Sequence, residues 1–247
     1  MGSIDQTRQT MYPEVAAGGF SRVDGTVDFY QRINALVQPD SVVLDVGAGR
    51  GQAHHDDPSS YRRSLRNFKG RTRRVIGIDV DPVVMTNPSL DEAHLIVNDK
   101  WPVETGSVDV AFSDYTFEHV PDPAAFASEA LRVLKPGGWL CARTPNKHGY
   151  ISIASRLIPE SMHGRVLRRA QPDRKEEDVF PTTYLLNTPR DIKGRFSPAS
   201  WNYYIYTQNA EPAYFGSSAA LWRIAGAALK LTPQRFWPTL MIFMQKK

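Results

Sequence analysis

Apolar positions along the chain follow two patterns: short unbroken runs that end in a carboxylate, and longer stretches at helical spacing. Val42-Val43-Leu44-Asp45-Val46 and Arg74-Val75-Ile76-Gly77-Ile78-Asp79 are of the first kind. Ser107 to Asp114 repeats it, while Leu95-Ile96-Val97 and Trp139-Leu140-Cys141-Ala142 are short apolar runs without the closing carboxylate. Continuous apolar runs suit strands covered on both faces. Pro123 to Leu134 is helix-like, and Lys135-Pro136-Gly137-Gly138 then turns into the next strand. Strands alternating with helices predict βαβ units in a doubly wound, mostly parallel α/β sheet with helices on both faces.

Beyond Asn146 the pattern changes. Tyr150 to Arg169 mixes apolar and basic residues at helical spacing, and Gln171 to Asp178 is a charged connector. Pro181 makes Phe180 to Tyr184 extended or turned. Thr188-Pro189 starts a helix, with a hydroxyl cap and a proline in the first turn. The aromatic-rich Ser200 to Thr207 predicts a sixth strand and Thr239 to Met244 a last one. Leu221, Ile224, Ala225, Ala228 and Leu229 fall on one helical face.

The first run opens onto Gly47-Ala48-Gly49-Arg50-Gly51. Glycine reaches φ > 0 and lets a backbone approach a ligand closely, so this is a tight, ligand-facing loop. A dinucleotide fingerprint needs its third glycine at position 52, where the chain has Gln52, and the Gly-Lys-Ser/Thr ending of a phosphate loop is missing. A nucleoside without a pyrophosphate fits better. Asp79 ends the second strand, where a carboxylate can accept hydrogen bonds from ribose hydroxyls. It comes 28 residues after Gly51, so the polar segment from His54 to Arg73 reads as an enlarged crossover.

These pieces resemble a class I S-adenosylmethionine (SAM)-dependent methyltransferase. The resemblance rests on Leu44 to Gly51, Gly77-Ile78-Asp79, Ser107-Val108-Asp109, Phe117-Glu118-His119-Val120 and Arg132 to Gly138, in that order. It implies a Rossmann-like seven-stranded sheet with an antiparallel last strand, and SAM lying over the carboxyl ends of the first strands. It implies that Asp45 and the loop of Gly47, Ala48, Gly49 and Gly51 face the methionine part. By the same likeness Asp79 holds the ribose, Val80 lies against the adenine, and Ser113 and Asp114 border the sulfonium. The family's acidic residue for the adenine amino group maps onto Asn98 or Asp99, with Asp99 the choice. The acceptor end has His119 as a general base or a loop-bracing imidazole, with Asp114 and Tyr115 beside it and His148 and Tyr150 as substrate candidates. The segment Arg174 to Thr182 and Thr144-Pro145-Asn146 resemble a branch acting on small molecules such as saccharides or secondary metabolites.

The expected reaction is O-methylation of a small-molecule acceptor by direct displacement. RNA or protein modification, or a non-catalytic partner role for the fold, are the alternatives. Residues 1–30 read as a flap, 42–146 as the cofactor-binding core, 147–195 as a lid inserted between strands 5 and 6, and 196–247 as the closing strands and helix.

Composition agrees with that picture. The chain has 247 residues, 41% of them hydrophobic, enough for one domain with elaborations. No run approaches the roughly 18 apolar residues of a membrane span. The first residues lack a basic-then-apolar signal pattern, and Gln6 stands where a myristoylation motif needs Ser or Thr. With one cysteine, Cys141, in an apolar strand, a reducing cytoplasm is the expected setting. The net charge of +4 is unevenly spread. One basic cluster runs from Arg62 to Arg74 and another from Arg165 to Lys175; both read as solvated helix faces, with attraction of a phosphorylated or anionic substrate, or of nucleic acid, as the alternative. Ser113-Asp114-Tyr115-Thr116-Phe117 lacks the paired prolines of an amino-methylating DNA enzyme, so nucleic acid is not expected. His54-His55-Asp56-Asp57 has ligand-type residues but no distant partner set, so no metal is expected. Leu221 to Met244, with Trp222, Phe236 and Trp237, raises peripheral membrane contact as a further possibility.

Overall fold

The computed structural model describes residues 4–157, 181–209, 211 and 218–247. The middle of the expected lid, 158–180, with His163 and the second basic cluster, lies outside the described residues. Seven strands form one sheet: β1 (Val42–Val46), β2 (Arg74–Asp79), β3 (Glu92–Leu95), β4 (Val108–Asp114), β5 (Leu134–Pro145), β6 (Trp201–Gln208) and β7 (Thr239–Lys246). Their spatial order is β3-β2-β1-β4-β5-β7-β6. The pairs β1–β2, β1–β4, β2–β3 and β4–β5 are parallel, so the carboxyl ends of β1, β2 and β4 share one edge.

The described α-helices are α1 (Ile4–Met11), α2 (Gly25–Leu36), α3 (Gln52–Asp56), α4 (Ser60–Arg66), α5 (Pro123–Val133), α6 (Tyr150–Leu157), α7 (Pro189–Arg195) and α8 (Ala219–Leu231), with short 3-10 turns between some elements. The cap expected at Thr188 forms, its hydroxyl accepting from the Asp191 amide, and Asp122 caps α5 by accepting from the Ala124 and Ala125 amides.

The contacts divide the chain into two compact units. Residues 26–144, 182–206 and 240–247 form one, and the described residues of 1–25, 145–181 and 207–239 form the other.

In the first unit, alternation along β1 sends successive side chains into different cores. Val42, Leu44 and Val46 pack with Phe117, Phe126 of α5, Ile192 of α7 and Trp201. Val43 packs on the other face with Phe29 and Ile33 of α2, Phe68 and Phe243. Helices therefore cover both faces of the sheet. Cys141 is fully buried in the second of these cores, and burial raises its thiol pKa far above the ordinary range.

The third strand lies earlier than its apolar run suggested. Pairing with β2 runs from Ile76↔Glu92 to Asp79↔Leu95, so Leu95-Ile96-Val97 begins where the strand ends. β3 is a sheet edge covered on neither face as fully as β1, so backbone pairing rather than apolar continuity sets its limits. Leu95 and Val97 are exposed.

The basic crossover also differs from a simple solvated face. Arg62 forks onto Asp57 at 2.7–3.1 Å, Lys69 and Arg71 donate to backbone carbonyls, and Arg66 lies over the Tyr30 ring.

In the second unit, only Ala225 and Leu229 of the apolar face expected on α8 are buried, together with Trp222. Leu221, Ile224 and Ala228 are exposed, because the helix packs through Trp222, which meets Tyr12 edge-on at 6.4 Å. Arg8 of α1 pairs with Glu211 at 2.7 Å, and Asn146 donates to the Arg235 and Trp237 carbonyls. Among the described residues no helix is long and apolar enough to cross a membrane.

Candidate functional site

The loop after β1 is held from three sides. Its Gly47 and Ala48 amides donate to the Ile78 carbonyl at 2.8 and 3.2 Å. The Asp79 carboxylate accepts from the Gly49 amide at 2.8 Å and, through its other oxygen, from the Asp81 amide at 2.9 Å. Asn87 donates to the Ala48 and Gly49 carbonyls at 2.9 and 3.3 Å. Gly47 and Gly49 both have φ in the left-handed region, at 80° and 49°. A Cβ on Gly47 would run into Thr116, whereas one on Gly49 would meet nothing within 4 Å. Gly47 is thus required by packing, and Gly49 borders open space.

Asp45 and Asp79 belong to this edge of the sheet, with Asp114 at the end of β4. Loss of hydration raises the Asp45 pKa well above the ordinary carboxylate range, and Asp114 and Asp79 push it further in the same direction, against Arg66. A cation placed beside Asp45 would relieve that repulsion. Asp79 is buried but keeps acceptor capacity, since a carboxylate has about four lone-pair sites and two are filled here. Val80, the next residue, is 65% exposed, as is Met85 in the turn that follows. Asn98 and Asp99 are exposed at the turn closed by Val97 and Lys100, both with left-handed φ of 51° and 57°.

At the end of β4, Ser113 is fully buried and its Oγ has no hydrogen-bond partner among the described residues. Asp114 is gripped by Arg143 through two bonds, 2.5 and 2.9 Å long, and accepts from the Tyr30 hydroxyl at 3.0 Å. Burial works to raise the Asp114 pKa, but the Arg143 guanidinium outweighs it and holds the carboxyl below the usual range. Tyr115 is exposed at φ 57°, an unusual conformation for a bulky residue, with the Arg143 guanidinium 4.9 Å from its ring centre. Phe117–His119 form a single 3-10 turn in which His119 is partly exposed and Glu118 buried. Burial raises the Glu118 pKa, although Thr144 donates to it at 2.8 Å.

The structure therefore brings Asp45, Gly47, Ala48, Gly49, Gly51, Asp79 and Val80 to one edge, with Ser113, Asp114 and Tyr115 on the neighbouring strand end. His148 and Tyr150 belong to the second unit, where His148 donates its amide to Asn146 and Tyr150 opens α6. Asp56 pairs with Arg50 at 2.6 Å and Asp57 with Arg62. No group of three metal-ligand side chains occurs among the described residues.

Tyr30, Asn87, Thr116 and Arg143 were not singled out from the sequence. Only Arg143 had a usable signal, as a cation inside an otherwise apolar strand.

Chemically, the edge offers acceptors for a diol, a glycine loop open to a ligand at Gly49, and carboxylates that favour a neighbouring cation. A family profile described as a methyltransferase domain matches residues 22–187. A probable S-adenosylmethionine-dependent methyltransferase of Mycolicibacterium smegmatis is 39% identical over 110 residues, covering 42% of this chain and 38% of that protein. The 2-methyl-6-phytyl-1,4-hydroquinone methyltransferase of Synechocystis sp. is 34% identical over 175 residues, covering 66% of this chain and 50% of that protein. The chain's matches thus span about two fifths to half the length of these curated relatives. In fold, the chain resembles a SAM-dependent methyltransferase structure from Archaeoglobus fulgidus, with TM-score 0.56 at 16% identity over 92% of this chain and 95% of that one.

Proposed function

The chain belongs to the SAM-dependent methyltransferase family, and from that premise we propose that it methylates a small-molecule acceptor, at a hydroxyl in the first instance. The bond from the Gly49 amide to Asp79, beside the open space at Gly49, carries this reading. It supports a ribose acceptor beside a glycine loop, at the edge where the family binds its cofactor.

The residues fit SAM on two further counts. Ser113 Oγ is a buried polar atom lacking a partner among the described residues, and Asp45 sits in carboxylate repulsion that a sulfonium would relieve. Asp79 would hold the ribose, Val80 the adenine face, Asp99 the adenine amino group, and Asp45 with the glycine loop the methionine part. When bound, SAM supplies an electrophilic methyl group on a sulfonium.

The chain's own task is mainly placement, for which effective-molarity arguments allow about 7–11 kcal/mol. Asp114 is committed to Arg143 and Tyr30, so we assign it to holding the strand ends rather than to proton transfer. His119, partly exposed on its turn, is the proton acceptor for a hydroxyl. Tyr115, exposed beside the end of β4, contributes to the acceptor wall. The Synechocystis relative's name points to a hydroquinone, and a phenolic or quinol acceptor stands beside the saccharide or secondary-metabolite hydroxyl as the class to screen.

Calorimetric titration with SAM and with S-adenosylhomocysteine, repeated on Asp79→Asn, tests the cofactor assignment. Micromolar binding that weakens at least about tenfold in the variant supports it. A wild-type chain that binds neither ligand overturns it and favours a non-catalytic partner role.

A further inference from the structure

α8 has two apolar faces. Trp222, Ala225 and Leu229 form the buried one. On the outward side Leu221 is 48% exposed, Ile224 67% and Leu231 85%, and Ala220, Ala227 and Ala228 fill the gaps between them. At about 100° per residue, exposed Arg223 and Lys230 lie together along one border of that outward band. A surface helix ordinarily turns charged and polar residues outward; this one turns out leucine, isoleucine and alanine. From residue 212 to 247 the sequence carries Arg223, Lys230, Arg235, Lys246 and Lys247 and no Asp or Glu.

We propose that the outward face of α8 docks on an anionic lipid surface. Leu221, Ile224 and Leu231 enter the boundary between headgroups and acyl chains, while Arg223 and Lys230 meet lipid phosphates. The charge pattern selects this occupant over a second copy of the chain, because a self-pairing of the face would set its cations against like charges. The helix lies in the surface plane: its 13 residues reach about 20 Å, short of a bilayer core of about 30 Å. The anchors differ from those suggested by aromatic content alone, since Trp222 is fully buried against the rest of its unit.

Co-sedimentation of the full chain with vesicles tests the proposal, using phosphatidylcholine with phosphatidylglycerol, and phosphatidylcholine alone. The expected result is binding to the anionic vesicles that weakens with salt. Ile224→Asp combined with Leu231→Asp lowers it at least about tenfold with an unchanged thermal melt, both side chains being exposed. Arg223→Glu combined with Lys230→Glu lowers it about tenfold on the anionic vesicles, and the milder Ile224→Gln/Leu231→Gln pair serves if the aspartate pair fails to fold. Wild-type protein left in the supernatant with anionic vesicles overturns the proposal. So does unimpaired vesicle binding by a folded Ile224/Leu231 variant, or a dimer by light scattering that the same substitutions dissolve without vesicle binding.

Discussion

Asp114 and Arg143 face each other directly across the β4–β5 register and close a two-point ion pair of 2.5 and 2.9 Å at the carboxyl ends of their strands. Arg143 is almost fully buried, and its guanidinium also donates to Thr26 and lies over Phe29, Tyr30 and Tyr115. One pair thus ties α2, β4, β5 and the Tyr115 turn together. Asp114→Asn leaves a buried cation with much of its compensation gone and is expected to cost about 3–5 kcal/mol in denaturant unfolding. Adding Arg143→Met should restore part of the loss, and strict additivity in that double-mutant cycle would show that the two side chains are not coupled.

Asp45 predicts the opposite sign. Its folded pKa is raised, so the folded protein holds that proton more tightly than the unfolded chain does. Stability from this group is fully present below the unfolded carboxylate range and is lost as pH climbs through the raised folded value. Asp45→Asn should therefore raise the melting temperature at neutral pH, on the order of a few degrees, while SAM binding falls. The gain should shrink as the pH is lowered toward the ordinary carboxylate range. A variant less stable than wild type at pH 7 would contradict the assignment.

Gly47 and Gly49 separate packing from ligand access. Gly47→Ala drives a methyl group into Thr116 at a left-handed backbone position, and should cost more than about 2 kcal/mol of stability. Gly49→Ala meets no neighbour and should cost only about 1–2 kcal/mol for its backbone conformation. The new methyl group projects into the open space at Gly49, so calorimetry should register weaker SAM binding at unchanged fold. Equal losses of stability for the two variants would argue against this division.

His119→Gln addresses proton transfer. With a hydroxyl acceptor identified, kcat should drop by about 10²–10⁴ while SAM affinity stays within a factor of two or so. A lower melting temperature with kcat preserved would instead mark His119 as a brace for its turn.

Apolar periodicity and the glycine and acidic punctuation were sufficient for β1, β2 and β4, for β5 from Trp139 onward and for the helix after β4, and they pointed to the loop that meets Asp79. These features are local: a strand covered on both faces must be apolar throughout, and a loop at φ > 0 beside close neighbours must be glycine. Threonine and proline likewise marked the start of α7 before any contact was known. The register of β3 was not legible, because an edge strand is fixed by the backbone of its neighbour and not by its own side chains. The grip of Arg143 on Asp114 and of Asn87 on the glycine loop joins residues 29 and about 39 positions apart, which no sequence period encodes. The outward face of α8 was also decided in three dimensions. A helix apolar over most of its circumference can turn either side to the core, and the packing of Trp222 against Tyr12 settles which side is left facing outward.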